Sequence, residues 1–376
     1  MLHRVLVALL FSVAPAALPA DDLRHSLTSA AGPIIAERVL QGLAQPSAIQ
    51  FLPDGRVLVA QRNLGLLTLA DFASGATTNI ENMPAMLAMG DAGLHDIELH
   101  PDYTENGWIY ISYSDGPEIR STLAVDRIRL DGTRVADRER IFTADAWSEI
   151  TWHCGGRMQF LDGYLFVTIG DRHHRERSQE LSNHTGTIVR LNDDGSVPAD
   201  NPFVESENSR TPAKPEIWSY GHRNPQGFWA DAATGELWAH EHGPRGGDEL
   251  NRIERGANYG WPVVSFGFEY DGGPIGMGIT TREDIHEPTW VYVPSIAPSD
   301  MVRYRGAAFP AWQGSFLIGA MAKTHLNRLE LRNGAVVLEE RLANGVLGRI
   351  RAIAVDAAGL VYLGSDSGDI WRLRPD

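Results

Sequence analysis

The sequence predicts an all-β fold, a six-bladed β-propeller with long inter-blade loops. The first observation is a recurring unit in which an apolar residue leads into a tight Asp- or Gly-containing turn and then an alternating apolar strand ending in small residues. It occurs at residues 51–62 (FLPDGRVLVAQR), 99–114 (LHPDYTENGWIYISYS), 158–171 (MQFLDGYLFVTIGD), 228–243 (FWADAATGELWAHEHG), 307–320 (AAFPAWQGSFLIGA) and 353–368 (IAVDAAGLVYLGSDSG). Turns of this kind between alternating strands signal hairpins, and a unit returning at intervals of roughly fifty to eighty residues signals a repeat architecture. The second observation is that helical periodicity is confined to short stretches such as residues 178–183. Repeated sheets with variable loops make a propeller. A pair of β-sandwiches would use the same strands but would not account for the recurrence.

Taken in order, the chain opens with a secretory leader expected over residues 1–20. A short positive start, His3-Arg4, precedes the apolar run 5–13 and the small residues APAALPA at 14–20. That run is too short to span a bilayer, and no later run of sufficient length follows. A periplasmic or secreted protein without a membrane span is expected, with residues 21–376 forming one propeller domain. With 43% hydrophobic residues the chain can bury a large core. A net charge of −15 excludes the basic face that nucleic-acid binding needs. The single cysteine, Cys154, forms no internal disulfide, so stability comes from packing or a bound metal.

Propeller sites gather where strand ends and loops converge on the axis. His153 precedes the third hairpin and Asp171 follows it. A neutral imidazole in a Gly-flanked loop suits a general base, and an acid at a strand end suits its orienting partner. A packed histidine and a turn-forming Asp remain the plain alternatives. Arg223 and Asn224 precede the fourth hairpin. Arg349 and Arg351 precede the last one, two apart on a strand and so facing one way, which fits a planar polycarboxylate. An exposed strand face paired with acids is the alternative. In HGPRGGDE, Gly243, Pro244 and Asp248 offer carbonyl and carboxylate oxygens to Ca²⁺, with Glu249 and Tyr259 near a second position. The spacing matches no EF-hand, and a Gly-rich surface loop would read the same. Two segments, residues 201–215 and 271–288, lack strand alternation and are expected as long loops. No nucleophile elbow, Walker A loop or Rossmann fingerprint is present.

The runs WHCGGRMQFLDGYLFVTIGDR, LSNHTGTIVRLNDDGSVPADNPF, SYGHRNPQGF, EHGPRGGDELNRIERGANYGWP and LGRIRAIAVDAAGLVYLGSDSGDIWRL together resemble the soluble, pyrroloquinoline quinone-dependent aldose sugar dehydrogenases, the glucose/sorbosone dehydrogenase group of propellers. The likeness extends from about residue 38 to the C terminus. It implies that His153 takes the proton from the sugar C1 hydroxyl with Asp171 as its partner. Arg223, Asn224, Arg349 and Arg351 would hold the quinone, with Ser295 as a further cofactor hydroxyl and Trp290 as a substrate-side aromatic. Gly243, Pro244 and Asp248 would face an active-site calcium, and Glu249 and Tyr259 a second calcium. Two positions depart from the pattern. Asp91 stands where Gln is common, and the lysine found in some members falls at Ala322, one place before Lys323.

The resemblance implies oxidation of aldoses to lactones, with the quinone and Ca²⁺ as cofactors. A small acceptor or redox protein would take the electrons, and the chain would act as a monomer or homodimer. Two other readings use the same scaffold. A calcium-dependent propeller hydrolase or lactonase would not need Arg349 and Arg351. A non-catalytic binding propeller would not need His153 and Asp171 together.

Overall fold

The computed structural model describes residues 23–205 and 212–376. The leader expected over residues 1–20 lies outside the described residues, as does the middle of the loop expected at 201–215. The architecture is six antiparallel sheets, nearly all β, arranged as propeller blades. Blade 1 comprises Pro46–Phe51, Val57–Gln61, Leu66–Asp71 and Ala76–Asn79. Blade 2 comprises Leu94–Leu99, Ile109–Asp115, Thr122–Asp131 and Arg134–Thr143. Blade 3 comprises Gly155–Leu161, Tyr164–Ile169, Thr187–Leu191 and Ile217–Tyr220. Blade 4 comprises Pro225–Asp231, Glu236–Glu241, Asp248–Ile253 and Trp290–Tyr292. Blade 5 comprises Pro298–Arg303, Phe316–Ala320, His325–Arg332 and Ala335–Leu342. Blade 6 joins the two ends of the chain. Ile350–Val355, Val361–Ser365 and Ile370–Pro375 are completed by Gly32–Leu40, which pairs antiparallel with Ile370–Pro375, and by Arg24–Ser29 outside it.

Each recurring unit seen in the sequence is the hairpin between the inner and second strands of one blade. The Asp162-Gly163 turn shows why the signal was readable. Both residues have positive φ, 52° and 81°, which is the primed turn that matches strand twist, and Leu161 pairs directly with Tyr164 across it. The second strands VLVAQ and FLIGA are buried at every position because both faces of a blade meet a neighbouring blade. Six hydrophobic clusters result, one for each blade–blade junction. Between blades 3 and 4 it contains Phe166, Ile188, Phe228 and Leu237; between blades 6 and 1 it contains Leu40, Ile49, Val59 and Tyr362.

The inner strands surround the axis, and one side chain ties all six together. Arg157, on the inner strand of blade 3, donates to the carbonyls of Ser47 (2.9 Å, blade 1), Gln226 (2.8 Å, blade 4) and Arg351 (3.2 Å, blade 6). It also donates to Asp96 of blade 2 at 3.3 Å and sits 3.6 Å from Asp300 of blade 5. Its guanidinium divides the axial space into two cavities.

Candidate active site

The first cavity, about 400 Å³, opens at the end where outer strands hand over to the next inner strand. Its wall brings together Asp91, His153, Arg223, Asn224, Gly243, Pro244, Ser295, Arg349 and Arg351. The other cavity, about 510 Å³, lies beyond Arg157, is lined by no histidine and contains none of the expected site residues. The expected site residues therefore gather in the smaller cavity.

Glycine makes the central pair possible. A Cβ at Gly170 would lie 2.0 Å from the His153 carbonyl, and one at Gly156 2.7 Å from the His95 side chain. Those close approaches let the loop before blade 3 fold onto the end of the adjoining strand. His153 itself has φ 53°, a left-handed conformation unusual for a residue with a Cβ. Its Nδ1 then sits 2.6 Å from Asp171 Oδ1. Asp171 is 1% exposed. It also accepts from Trp261 Nε1 (2.8 Å) and the His173 amide (2.8 Å), while its own amide donates to the Arg223 carbonyl (2.7 Å). Burial alone would raise the Asp171 carboxyl, but the His153 hydrogen bond and the Arg223 charge outweigh it and hold the group below the ordinary carboxylate range. Burial lowers the His153 imidazole, the Asp171 hydrogen bond opposes this, and Arg223 adds to the lowering. The pair is thus a carboxylate and a neutral imidazole. Nδ1 carries the proton donated to Asp171, which leaves the Nε2 lone pair available.

The cations are crowded. Arg223 Nη1 donates to the carbonyls of His242 (3.0 Å) and Gly243 (2.9 Å), and its guanidinium lies over the Trp261 ring. Arg349 and Arg351 converge on Asp366, Arg349 at 2.8 Å and Arg351 also in direct contact. Arg62, which sequence reasoning missed, bonds Gln45 at 2.9 Å and stands 3.6 Å from Asp91. Burial brings the Arg62 guanidinium down to about 10, with the nearby Arg351 charge adding to the effect. Several guanidiniums held this close favour an anion carrying more than one carboxylate.

Several expected residues take other positions. Asp248 serves as a staple. Oδ1 accepts from the Gly243 amide (2.9 Å), and Oδ2 accepts from Ser295 Oγ (2.6 Å) and the amides of Ile296 (2.8 Å) and Ala297 (3.0 Å). It joins two pocket loops from below, and its oxygens are already engaged. Glu249 and Tyr259 line a small adjoining space with Glu241, beside Arg223 and Gly243. Burial, then Glu241, pushes the Glu249 carboxyl up to about 8. Among the described residues no group of three or more His, Cys, Asp or Glu is arranged to hold a metal ion, so a calcium here depends on backbone carbonyls. The turn closes tightly at Gly243. A Cβ there would fall 2.2 Å from Gly246 O and 2.4 Å from Gly247 O, so carbonyls crowd this turn.

Trp290 is not in the pocket. It lies on the outer strand of blade 4, packed against the core between blades 4 and 5 and edge-on to Tyr292. Its place at the mouth is taken by Trp152 and Tyr270. Lys323 is exposed in a left-handed turn (φ 62°) and does not line the pocket; Met321, two residues earlier, does. Trp290 was expected there from the resemblance alone, and its strand is the outer one of blade 4, away from the axis. Gln226 and Arg157 were findable: both stand on inner strands beside residues already singled out. Cys154 also lines the pocket wall, 2.6 Å from Arg172 Nη1 and 4% exposed.

Comparison with known proteins gives one consistent answer. A sequence model of the Glucose / Sorbosone dehydrogenase family matches residues 43–372. The chain is 33% identical to the aldose sugar dehydrogenase YliI of Escherichia coli over 368 residues, covering 95% of this chain and 97% of that protein. The crystal structure of the soluble aldose sugar dehydrogenase from Escherichia coli, in its apo-form, superposes with a TM-score of 0.85 at 32% identity, covering 91% of this chain and 100% of that one. A PQQ-bound aldose sugar dehydrogenase from Streptomyces coelicolor superposes with a TM-score of 0.74 at 26% identity, covering 91% and 98%.

Proposed function

The chain belongs to the Glucose / Sorbosone dehydrogenase family, and from that premise we propose that it oxidises the C1 hydroxyl of aldose sugars to lactones, with pyrroloquinoline quinone and Ca²⁺ as cofactors. At the coarser level it is an oxidoreductase, a sugar dehydrogenase. The observation that carries the finer reading is the neutral imidazole of His153, held by Asp171 and facing a wall of four arginines.

The residues present fit a flat tricarboxylate. Arg62, Arg223, Arg349 and Arg351 supply the cations, and the Asn224 and Gln226 amides supply neutral donors. Asp91 is the one acid among them, offset by Arg62. When bound, the quinone supplies the acceptor for the hydride leaving sugar C1. The Gly243 carbonyl, which here accepts from Arg223, and the Pro244 carbonyl would hold a Ca²⁺ supplying Lewis-acid polarisation, and Glu249 with Tyr259 would hold a second, structural ion.

The chain's own residues do the following. His153 Nε2 takes the C1 hydroxyl proton, and the imidazolium so formed is stabilised by the Asp171 carboxylate. Asp171, fixed by Trp261 and the His173 amide, keeps the ring in the tautomer that leaves Nε2 basic. Arg223 lies close enough to discourage early protonation of that ring. Trp152 and Tyr270 border the opening through which a sugar enters. We assign the mature protein, residues 21–376, to a single propeller domain exported after removal of the leader. Among the described residues no helix is long and apolar enough to cross a membrane.

The test is reconstitution. Apo-protein given pyrroloquinoline quinone and Ca²⁺ should reduce a redox dye when aldoses are added. Hydrolysis of lactones or esters without dye reduction would overturn the reading in favour of a calcium-dependent hydrolase.

A further inference from the structure

The second cavity, beyond Arg157, has no part in the chemistry above. It lies at the end of the axis where the hairpins turn back from the inner strands, and exposed Ala307 and Ala357 stand at its rim. Its volume of about 510 Å³ is that of a small-molecule site, for which about 300–1,000 Å³ is usual, and all six inner strands contribute to its wall.

Most of its charged groups are already engaged within the fold. Nearest the floor, Asp96 accepts from Arg157 (3.3 Å) and the Met158 amide (2.8 Å), and Asp300 accepts from the amides of Met301 (2.9 Å) and Ile353 (2.7 Å). Towards the rim, Asp356 accepts from the amides of Ala358 (3.0 Å) and Leu360 (2.8 Å), while Arg303 and Arg305 converge on Asp231. Between floor and rim lies a layer of a different kind. Glu98 and Gln159 stand two residues beyond Asp96 and Arg157 on their strands, so they face the axis one step further out, with Gln50 of blade 1 beside them in the wall. The Gln159 amide nitrogen donates to Glu98 (3.3 Å), and that of Gln50 donates to the Phe51 carbonyl (3.3 Å). Neither amide oxygen accepts a hydrogen bond among the described residues. Burial, then the Asp96 charge, pushes the Glu98 carboxyl well above its ordinary range, which favours the neutral form that donates as well as accepts. Around this layer the wall is apolar, with Trp229, Val302 and Val355.

This combination selects an uncharged ligand. An anion finds both rim arginines paired, and among the described residues no group of three or more His, Cys, Asp or Glu is arranged to hold a metal ion. A ring carrying many hydroxyl groups uses what is left. Its hydroxyls donate to the two glutamine oxygens and exchange bonds with Glu98, and its C–H surfaces lie against Trp229 and the valines. We propose that this far cavity is a saccharide-binding site, separate from the pocket that holds His153. Arg157 stands between the two cavities, so a saccharide bound here is held without being oxidised. The site is read from its own wall and does not depend on the dehydrogenase reading.

The test titrates apo-protein with trehalose and with sucrose, disaccharides that lack a free anomeric hydroxyl, by isothermal calorimetry. Saturable binding of at least one of them is expected for the wild type. Gln50→Leu/Gln159→Leu should bind it at least about tenfold more weakly, since two hydrogen bonds are lost. Trp152→Ala/Tyr270→Ala, at the mouth of the other cavity, should bind it as the wild type does. Should the glutamine variant melt lower than the wild type, Ala307→Trp at the exposed rim takes its place and should weaken binding likewise. No binding of either disaccharide by the wild type overturns the proposal, as does unchanged binding by the variant that melts normally. Weaker binding by Trp152→Ala/Tyr270→Ala assigns the saccharide to the His153 pocket and also overturns it. Glu98→Gln keeps a neutral hydrogen-bonding group and should retain the disaccharide. Loss of the disaccharide in Glu98→Gln, with spermidine bound by the wild type and not by this variant, shows a cation site instead and overturns the proposal.

Discussion

His153 Nδ1 lies 2.6 Å from an Asp171 oxygen whose partner oxygen is held by Trp261 at 2.8 Å. The imidazole is thereby fixed in both position and tautomer. Changing His153 to Gln keeps a polar side chain but removes the base, so turnover should fall at least about 100-fold. Quinone affinity should change little, because arginines dominate that contact. Steady-state kinetics beside a quinone titration checks both, and retained turnover removes His153 from the mechanism.

The pH profile carries the sign of the His153 shift. Because burial lowers this imidazole, the base stays neutral below its ordinary value of 6.5, and the acid limb of kcat/KM should lie below that pH. The Asp171 hydrogen bond acts in the raising direction. Asp171→Asn should therefore move the acid limb lower still, while reducing kcat through loss of the favoured tautomer. An acid limb that moves upward in the variant contradicts the pairing.

Arg351 shares Asp366 with Arg349 and crowds Arg62. Arg351→Ala should weaken quinone binding by about 1.5–3 kcal/mol, or about ten- to a hundredfold. The fold should survive, since Arg349 keeps Asp366 paired. An unchanged quinone titration would falsify the pocket assignment.

In chelated protein, Glu249 imposes a pH-dependent cost. Its folded value of about 8 exceeds the 4.5 of an ordinary glutamate, so stability is greatest while it is protonated and declines as pH rises from 4.5 towards 8. Glu249→Gln should become progressively more stable than the wild type across that window. Adding Ca²⁺ should raise the wild-type melting temperature, since a ligand that binds only the folded state stabilises it. Melting curves with a constant difference between the two proteins at every pH, or no response to Ca²⁺, count against this site.

Arg157 touches one residue of every other blade, so its removal should be felt by the whole ring. Arg157→Met leaves Asp96 and Asp300 buried without their counter-charge, and breaking such a pair costs about 3–5 kcal/mol. Denaturant unfolding should show that loss, and a variant as stable as the wild type would show the hub to be dispensable.

The blades were legible because each inner hairpin carries its own turn chemistry, as at Asp162-Gly163, where local sequence dictates local shape. The catalytic pair was legible for a related reason: His153 and Asp171 flank one hairpin, so chain proximity stood in for proximity in space. Arg62 was not legible. It lies far in sequence from Arg351, and only ring closure brings the two together. Asp248 shows the converse. An acid in a Gly-rich loop looks like a metal ligand until its neighbours' amides are placed, and here four donors already occupy it. Trp290, placed by resemblance rather than by its own pattern, failed because its strand is the outermost of blade 4.

Blade 6 is built from both ends of the chain, with Gly32–Leu40 laid against Ile370–Pro375. During synthesis Gly32–Leu40 must wait, paired only with Arg24–Ser29 and with its other edge open, until Ile370–Pro375 has been made. A C-terminal truncation that removes Ile370–Pro375 would leave an open arc with two unsatisfied edges, and the same complementarity that seals one ring could then link neighbouring chains end to end. A tag is therefore safest where it leaves this seam undisturbed.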